Sequence, residues 1–339
     1  MTMRSEIGEQ PAVLERAIPA MDAAAAEVAA ILHRPDVHHV LIAARGSSDN
    51  AARYAKYAWS ALGGVVVTLA APSLYGIYRS PPRLSGAAVV AMSQSGQSPD
   101  LIEVIDEGRR QERPTITITN DVSSPLAAAA DLVVPIHAGE ERSVAATKTY
   151  TATLAAVASI AAHLESGTRR IDELAAIPAA VAAVLARDDA GTAAERIGRL
   201  GRAVVLGRGY NHSTAFEWAL KLQETVYVLA HPFSTADFAH GPFALLEPGF
   251  PVLAVATRGP TFEGNAEALS RIRDETGAQV VVITDSILPH DRITIPEGPE
   301  WLSPLPAIVA AQLFTVRAAE LAGIDPDRPR GLTKVTRTT

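Results

Sequence analysis

Three ionisable residues, Glu217, Lys221 and Glu224, stand at i, i+4 and i+7 in a stretch, 211–229, that reads as a helix. At 3.6 residues per turn they share one face. A carboxylate beside an ammonium suits carbonyl–enol chemistry, where the base needs a fixed position and a tuned pKa. The same spacing also suits a solvated salt-bridge stripe, its commoner use. His240 precedes a Gly241-Pro242 break. A histidine passes protons near neutral pH, as sugar ring opening requires, but at a turn it is more often a surface or capping residue. Lys334 lies in the tail 330–337. It can act on a carbonyl only if that tail folds over a pocket and desolvates the amine. The other histidines show no metal-ligand spacing and no HExxH occurs, so neither metal nor cofactor is expected.

A second kind of chemistry is written in two polar turns. The run Ala87–Met92 predicts a buried strand leading into Ser93-Gln94-Ser95-Gly96-Gln97-Ser98-Pro99-Asp100. Leu101, Ile102, Val104 and Ile105 then mark a helix, with Ser98 placed to cap it and Asp100 at its positive end. Free backbone N–H groups and a helix dipole at such a junction favour an anion. No lysine sits in the turn, so it is not a Walker-type nucleotide loop. The strand His38–Ala44 runs into Arg45-Gly46-Ser47-Ser48-Asp49-Asn50 and a helix 51–62, a junction of the same design. An ordinary polar turn that binds nothing is the competing reading of either one.

The elements that must hold these groups alternate between strand and helix. An Ala-rich helix is expected over 11–32, and strands at Val65–Leu69, Thr115–Thr119 and Asp131–Ile136 complete a parallel sheet. Residues 140–149 are expected to open a long helix to about Leu164 with Ser143 as its cap, and 165–197 to form a helical connector. Then the pattern returns, with strands at Ala203–Leu206, Pro251–Ala256 and Gln279–Thr284. Gly209 comes 163 positions after Gly46, and Gly259 comes 163 after Gly96, which predicts two copies of one α/β unit. The copies differ chemically. Where the first has Ser93-Gln94-Ser95-Gly96, the second has Ala256-Thr257-Arg258-Gly259, so an anion cradle belongs to the first copy.

Bulk properties narrow the partners. The 339 residues are 48% hydrophobic with net charge −7 and no basic block, which argues against nucleic acid. No run is long and apolar enough for a membrane span, and Met1–Pro11 lacks the core of a signal peptide. The absence of cysteine excludes disulfides, thiolate metal sites and a cysteine nucleophile, and suits a cytoplasmic protein.

Taken in order, RGSSDNAARYAKY, SQSGQSPD, ERSVAATKTY, GRG with ALKLQETVY, AHGPFALL and the lysine tail resemble the double sugar-isomerase (SIS) domain, as in the isomerase half of glucosamine-6-phosphate synthase and its relatives. The opening Glu6-Ile7-Gly8-Glu9-Gln10-Pro11 is similar to the segment that begins that half. The resemblance implies two tandem SIS domains, each a parallel sheet between helix layers in flavodoxin-like fashion. They would span 35–166 and 198–325, after an arm 1–34 and before a tail 326–339.

The resemblance also implies that Gly46, Ser47, Ser48, Ser93, Gln94, Ser95 and Ser98 hold the phosphate and nearby hydroxyls of a hexose 6-phosphate, with Val144 and Ala145 offering backbone to the sugar. Glu224 would move a proton between C1 and C2. His240 would assist ring opening from the other subunit of a homodimer, and Lys334 would contact the carbonyl end. Glu217 and Lys221 would line the site. The synthase's glutamine-hydrolysing cysteine domain has no counterpart here, and the short tail looks more like stand-alone glucosamine-6-phosphate deaminases. The expectation is release of ammonia from glucosamine 6-phosphate. Its rivals are a galactosamine-6-phosphate deaminase, a deglycase, a synthase-like isomerase fed ammonia by another chain, and a non-catalytic sugar-phosphate sensor.

Overall fold

The computed structural model describes residues 2–334. It divides into two compact units. The first holds Ala12–Glu141, Lys148–Ala176 and the terminal Thr333 and Lys334; the second holds the residues up to Pro11, Arg142–Thr147 and Ile177–Leu332.

In the first unit the apolar runs become five strands: β1 (His39–Ala44), β2 (Val66–Leu69), β3 (Ala87–Ser93), β4 (Thr115–Thr119) and β5 (Leu132–Pro135). All neighbours are parallel, in the order β2-β1-β3-β4-β5. Every residue of β3 is buried, as expected of a central strand covered on both faces. The chain leaves β1 towards one edge of the sheet and β3 towards the other, so their C-terminal ends flank the topological switch point where ligands bind in open α/β sheets. Both serine-bearing turns lie there. Helices Gly46–Gly63 and Lys148–Leu164 cover the sheet, and the buried Trp59 donates its indole N–H to Val157 O at 3.0 Å.

The second unit repeats the plan with β6 (Arg202–Leu206), β7 (Leu229–Phe233), β8 (Pro251–Val255), β9 (Gln279–Thr284) and β10 (Asp291–Thr294). Its order, β10-β9-β8-β6-β7, is the first sheet's order again, so the duplication read from glycine spacing is present in the topology. Helices Ile177–Leu185 and Asp189–Ile197 pack on Pro304–Leu321, while Arg169–Ala175 belongs to the first unit. Trp218 and Phe314 meet edge-to-face at 5.3 Å in the second core. No helix among the described residues is long and apolar enough to cross a membrane.

Several local expectations are corrected. The helix after β1 begins at Gly46, not residue 51, so Ser47 and Ser48 sit in its first turn. Residues 140–147 are irregular, and the helix starts at Lys148, so Ser143 is not its cap. The stretch 211–229 is a helix only over His212–Val226, ended by Tyr227 in the left-handed conformation (φ 59°). The chain then enters the edge strand β7, which no sequence pattern announces.

Candidate active site

The first unit brings the two serine-bearing turns side by side. Arg45 joins its two turns: the guanidinium lies 2.7 Å from Asp100 Oδ2, so the end of β1 is tied to the helix after β3. Asp100, expected as a dipole partner, is buried and spends its charge on this clamp. Gly96 has φ +61°, and a Cβ there would collide with the Ser124 hydroxyl; only glycine fits that turn without strain. The turn is held from within, Gly96 N–H donating to Ser93 Oγ at 3.1 Å and Gln97 N–H to Ser95 Oγ at 3.3 Å. From the neighbouring strand end, Asn120 N–H donates to Gln94 O at 3.2 Å. Ser98 is the N-cap residue of Pro99–Arg110, but its hydroxyl makes no capping bond. Gly46, which opens the other turn, is also left-handed, at φ +53°. Gly46, Ser47, Ser48, Ser93, Gln94, Ser95 and Ser98 are thus brought together at the ends of adjacent strands.

The second unit supplies the ionisable array. Lys221 Nζ lies 3.3 Å from Glu217 Oε1 and 2.5 Å from Glu224 Oε2. Glu217 and Lys221 are buried, whereas the Glu224 side chain is 23% exposed. This is not a solvated stripe. Burial alone would lower the Lys221 pKa; the two carboxylates outweigh it and hold it above the ordinary lysine value, so the ammonium stays charged. The outcome is a carboxylate, Glu224, open to solvent on one side and fixed on the other by a buried cation. That is the geometry a general base needs.

The loop carrying Val144 and Ala145 is fastened by residues whose role local sequence does not reveal. The buried Glu6 carboxylate accepts from Arg142 N–H at 2.6 Å and Ser143 N–H at 3.1 Å. Gln10 reaches Gln312 Oε1 at 2.8 Å, and Gln312 reaches Thr147 O at 3.5 Å. Both ends of the loop are thereby held within the second unit. Lys334 is ion-paired with the buried Glu141 at 2.5 Å. Glu141 also accepts from Thr149 N–H at 3.1 Å and from its hydroxyl at 2.7 Å, capping Lys148–Leu164. Sequence reasoning misses Glu6 and Glu141 because their partners are distant in sequence or are backbone groups; the one available signal for Glu6 is its motif. His240 is not among the clustered groups. It is exposed on the turn after Thr235–Phe238, with its backbone N–H donating to Asp237 O at 3.0 Å.

Comparison with known proteins identifies the family. The SIS domain model matches residues 35–163 and again 199–322. Glutamine–fructose-6-phosphate aminotransferase (isomerizing) of Thermus thermophilus is 33% identical over 98% of this chain, which spans 58% of that relative's length. Among solved structures, a Silicibacter pomeroyi protein provisionally assigned as a phosphosugar isomerase is 33% identical with a TM-score of 0.87, covering 96% of this chain and 100% of that one. The C-terminal domain of glucosamine-fructose-6-phosphate aminotransferase from Francisella tularensis also gives a TM-score of 0.87, at 26% identity, covering 96% and 97%. The chain belongs to the SIS family of phosphosugar isomerases, with two SIS domains in tandem, and is related to the isomerase part of the fructose-6-phosphate aminotransferases.

Proposed function

We propose that this chain isomerises and deaminates an amino-sugar phosphate: glucosamine 6-phosphate and water give fructose 6-phosphate and ammonia. The observation that carries the reading is the half-open Glu224 carboxylate backed by buried Lys221 and Glu217. The serine turns at the first unit's switch point take the phosphate. Glu224 removes the proton from C2 of the open-chain aldehyde and returns it to C1. The amine-bearing C2 then becomes an imine, and water adds to it and expels ammonia. Lys334, tethered by Glu141, presents its ammonium to the carbonyl end. Val144 and Ala145 offer backbone groups to the sugar. His240 assists ring opening from the second subunit of a homodimer.

A second reading is carried by the relatives' names. The isomerising aminotransferases run the same carbon chemistry towards amination, and this chain would do so with ammonia from another protein. The direct test is ammonia release from glucosamine 6-phosphate by the pure protein. Release that disappears in Glu224→Gln supports deamination. Formation of glucosamine 6-phosphate from fructose 6-phosphate and ammonia, with no net release, supports the second reading. Melting shifts without turnover would mark a sensor and overturn both. A panel with galactosamine 6-phosphate and sugar–amine phosphates fixes the epimer and the leaving amine.

A further inference from the structure

The two copies end their matching helices differently. Gly46–Gly63, after β1, stops at Gly64 in the left-handed conformation (φ 65°). His212–Val226, after β6, stops 163 positions later at Tyr227 in the same conformation (φ 59°). Glycine meets no steric penalty there, whereas the Cβ of a tyrosine does. A strained residue, held where the repeat itself manages with glycine, points to a use for the side chain. The Tyr227 hydroxyl accepts the backbone N–H of Arg330 at 2.8 Å. The Arg330 guanidinium lies over the ring, 4.0 Å from its centre. Upstream, the tail is held again where Asp327 Oδ1 accepts the Met3 N–H at 2.5 Å. All four residues belong to the second unit. Tyr227 stands three positions after Glu224, almost one helical turn beyond the carboxylate of the ionisable array. Arg330 stands four positions before Lys334. Four residues reach at most about 14 Å, so the point at which the tail is gripped limits where the Lys334 ammonium can go.

We propose that Tyr227 is a positioning residue for the reaction: it latches the C-terminal tail to the end of the helix that carries Glu224, and so sets the reach of Lys334 towards the carbonyl end of the sugar. This rests on the role given to Lys334 above. The latch has two parts, a hydrogen bond to the tail's backbone and a stacked cation, so it can be weakened in steps.

The test compares wild type with Tyr227→Gly, Tyr227→Asn, Tyr227→Phe and Arg330→Ala. Glycine and asparagine suit the left-handed turn and remove the latch, so both variants are expected to melt at the wild-type temperature or above it. In the ammonia assay their kcat is expected to fall about five- to fiftyfold at little changed KM, the loss of one hydrogen bond and one cation–π contact. Tyr227→Phe and Arg330→Ala each keep one part of the latch and fall less. Adding Arg330→Ala to Tyr227→Gly makes turnover no worse than Tyr227→Gly alone. Acetylation of Lys334 by acetic anhydride, read by peptide mass spectrometry, follows the tail without turnover and is expected to quicken in the same order. A clear drop in melting temperature in both Tyr227→Gly and Tyr227→Asn overturns the proposal, since the ring then serves packing. Wild-type kcat in both, or unchanged labelling of Lys334, overturns it as well. A wild type that releases no ammonia refutes the proposed reaction and not the latch, which the labelling order then decides.

Discussion

The turns after β3 and β8 are the same turn twice, yet one offers serines and the other is filled by Glu300. The contrast is one of side chains on a shared plan: two diverging strands, glycines at positive φ and a helix start recur in both copies. Side chains decide what lies in each turn. The helices after β1 and β6 differ in the converse way. Glu217, Lys221 and Glu224 of the second copy stand 163 positions after Tyr54, Ala58 and Ala61 of the first. Tyr54 and Ala58 are buried core there. The first copy has buried packing residues on its helix and serines in its turn, whereas the second has an ionisable array on its helix and a carboxylate in its turn.

The most damaging way to break the contrast is Glu224→Gln. A general base contributes about 10²–10⁴-fold in rate, so kcat is expected to fall by that factor in the ammonia assay while hexose 6-phosphate affinity persists. Lys221→Met strips the buried Glu217 of its cation and is expected to cost about 3–5 kcal/mol in denaturant unfolding. The pH dependence has a definite sign. Lys221 titrates above its ordinary value, so its pairing stabilises the fold fully below about pH 10 and the benefit fades as pH rises through the raised pKa. Alkaline melting curves of wild type and Lys221→Met should therefore converge. In the first copy, Ser95→Ala is expected to cost about 1.5–3 kcal/mol of phosphate binding, read as a raised KM at unchanged kcat. The smallest effect belongs to the equivalent second-copy position. Arg258→Ala, which loses an exposed pair with Glu297 at 2.6 Å, should change KM by less than about twofold and stability by about 0.5 kcal/mol or less.

How much of this is legible in the sequence depends on how local its cause is. The strands of both sheets other than β7 and β10, the repeat and the Glu217–Lys221–Glu224 face come from periodicity and spacing, and they stand where expected. The strand β7 is hidden because Leu-Ala-His-Pro-Phe has no alternation and contains Pro232, tolerable only at an edge. The irregular course of 140–147 is hidden because two of its N–H groups go to Glu6, more than 130 positions away. Propensity favours a helix there, and a remote carboxylate supplies the backbone's partners instead. Glu300 is invisible for the same reason: nothing near it in sequence says which turn it will fill.

The central claim is that grip and proton transfer are assigned to different copies, and hydrogen exchange in heavy water reads both at once. Fructose 6-phosphate is incubated with enzyme in D₂O, and deuterium entry at C1 is followed by proton NMR at saturating and limiting substrate. The account predicts that Glu224→Gln abolishes exchange at both concentrations, whereas Ser95→Ala exchanges at the wild-type rate when saturated and slowly when not. Undiminished exchange in Glu224→Gln, or a Ser95→Ala defect that saturation does not repair, would contradict it.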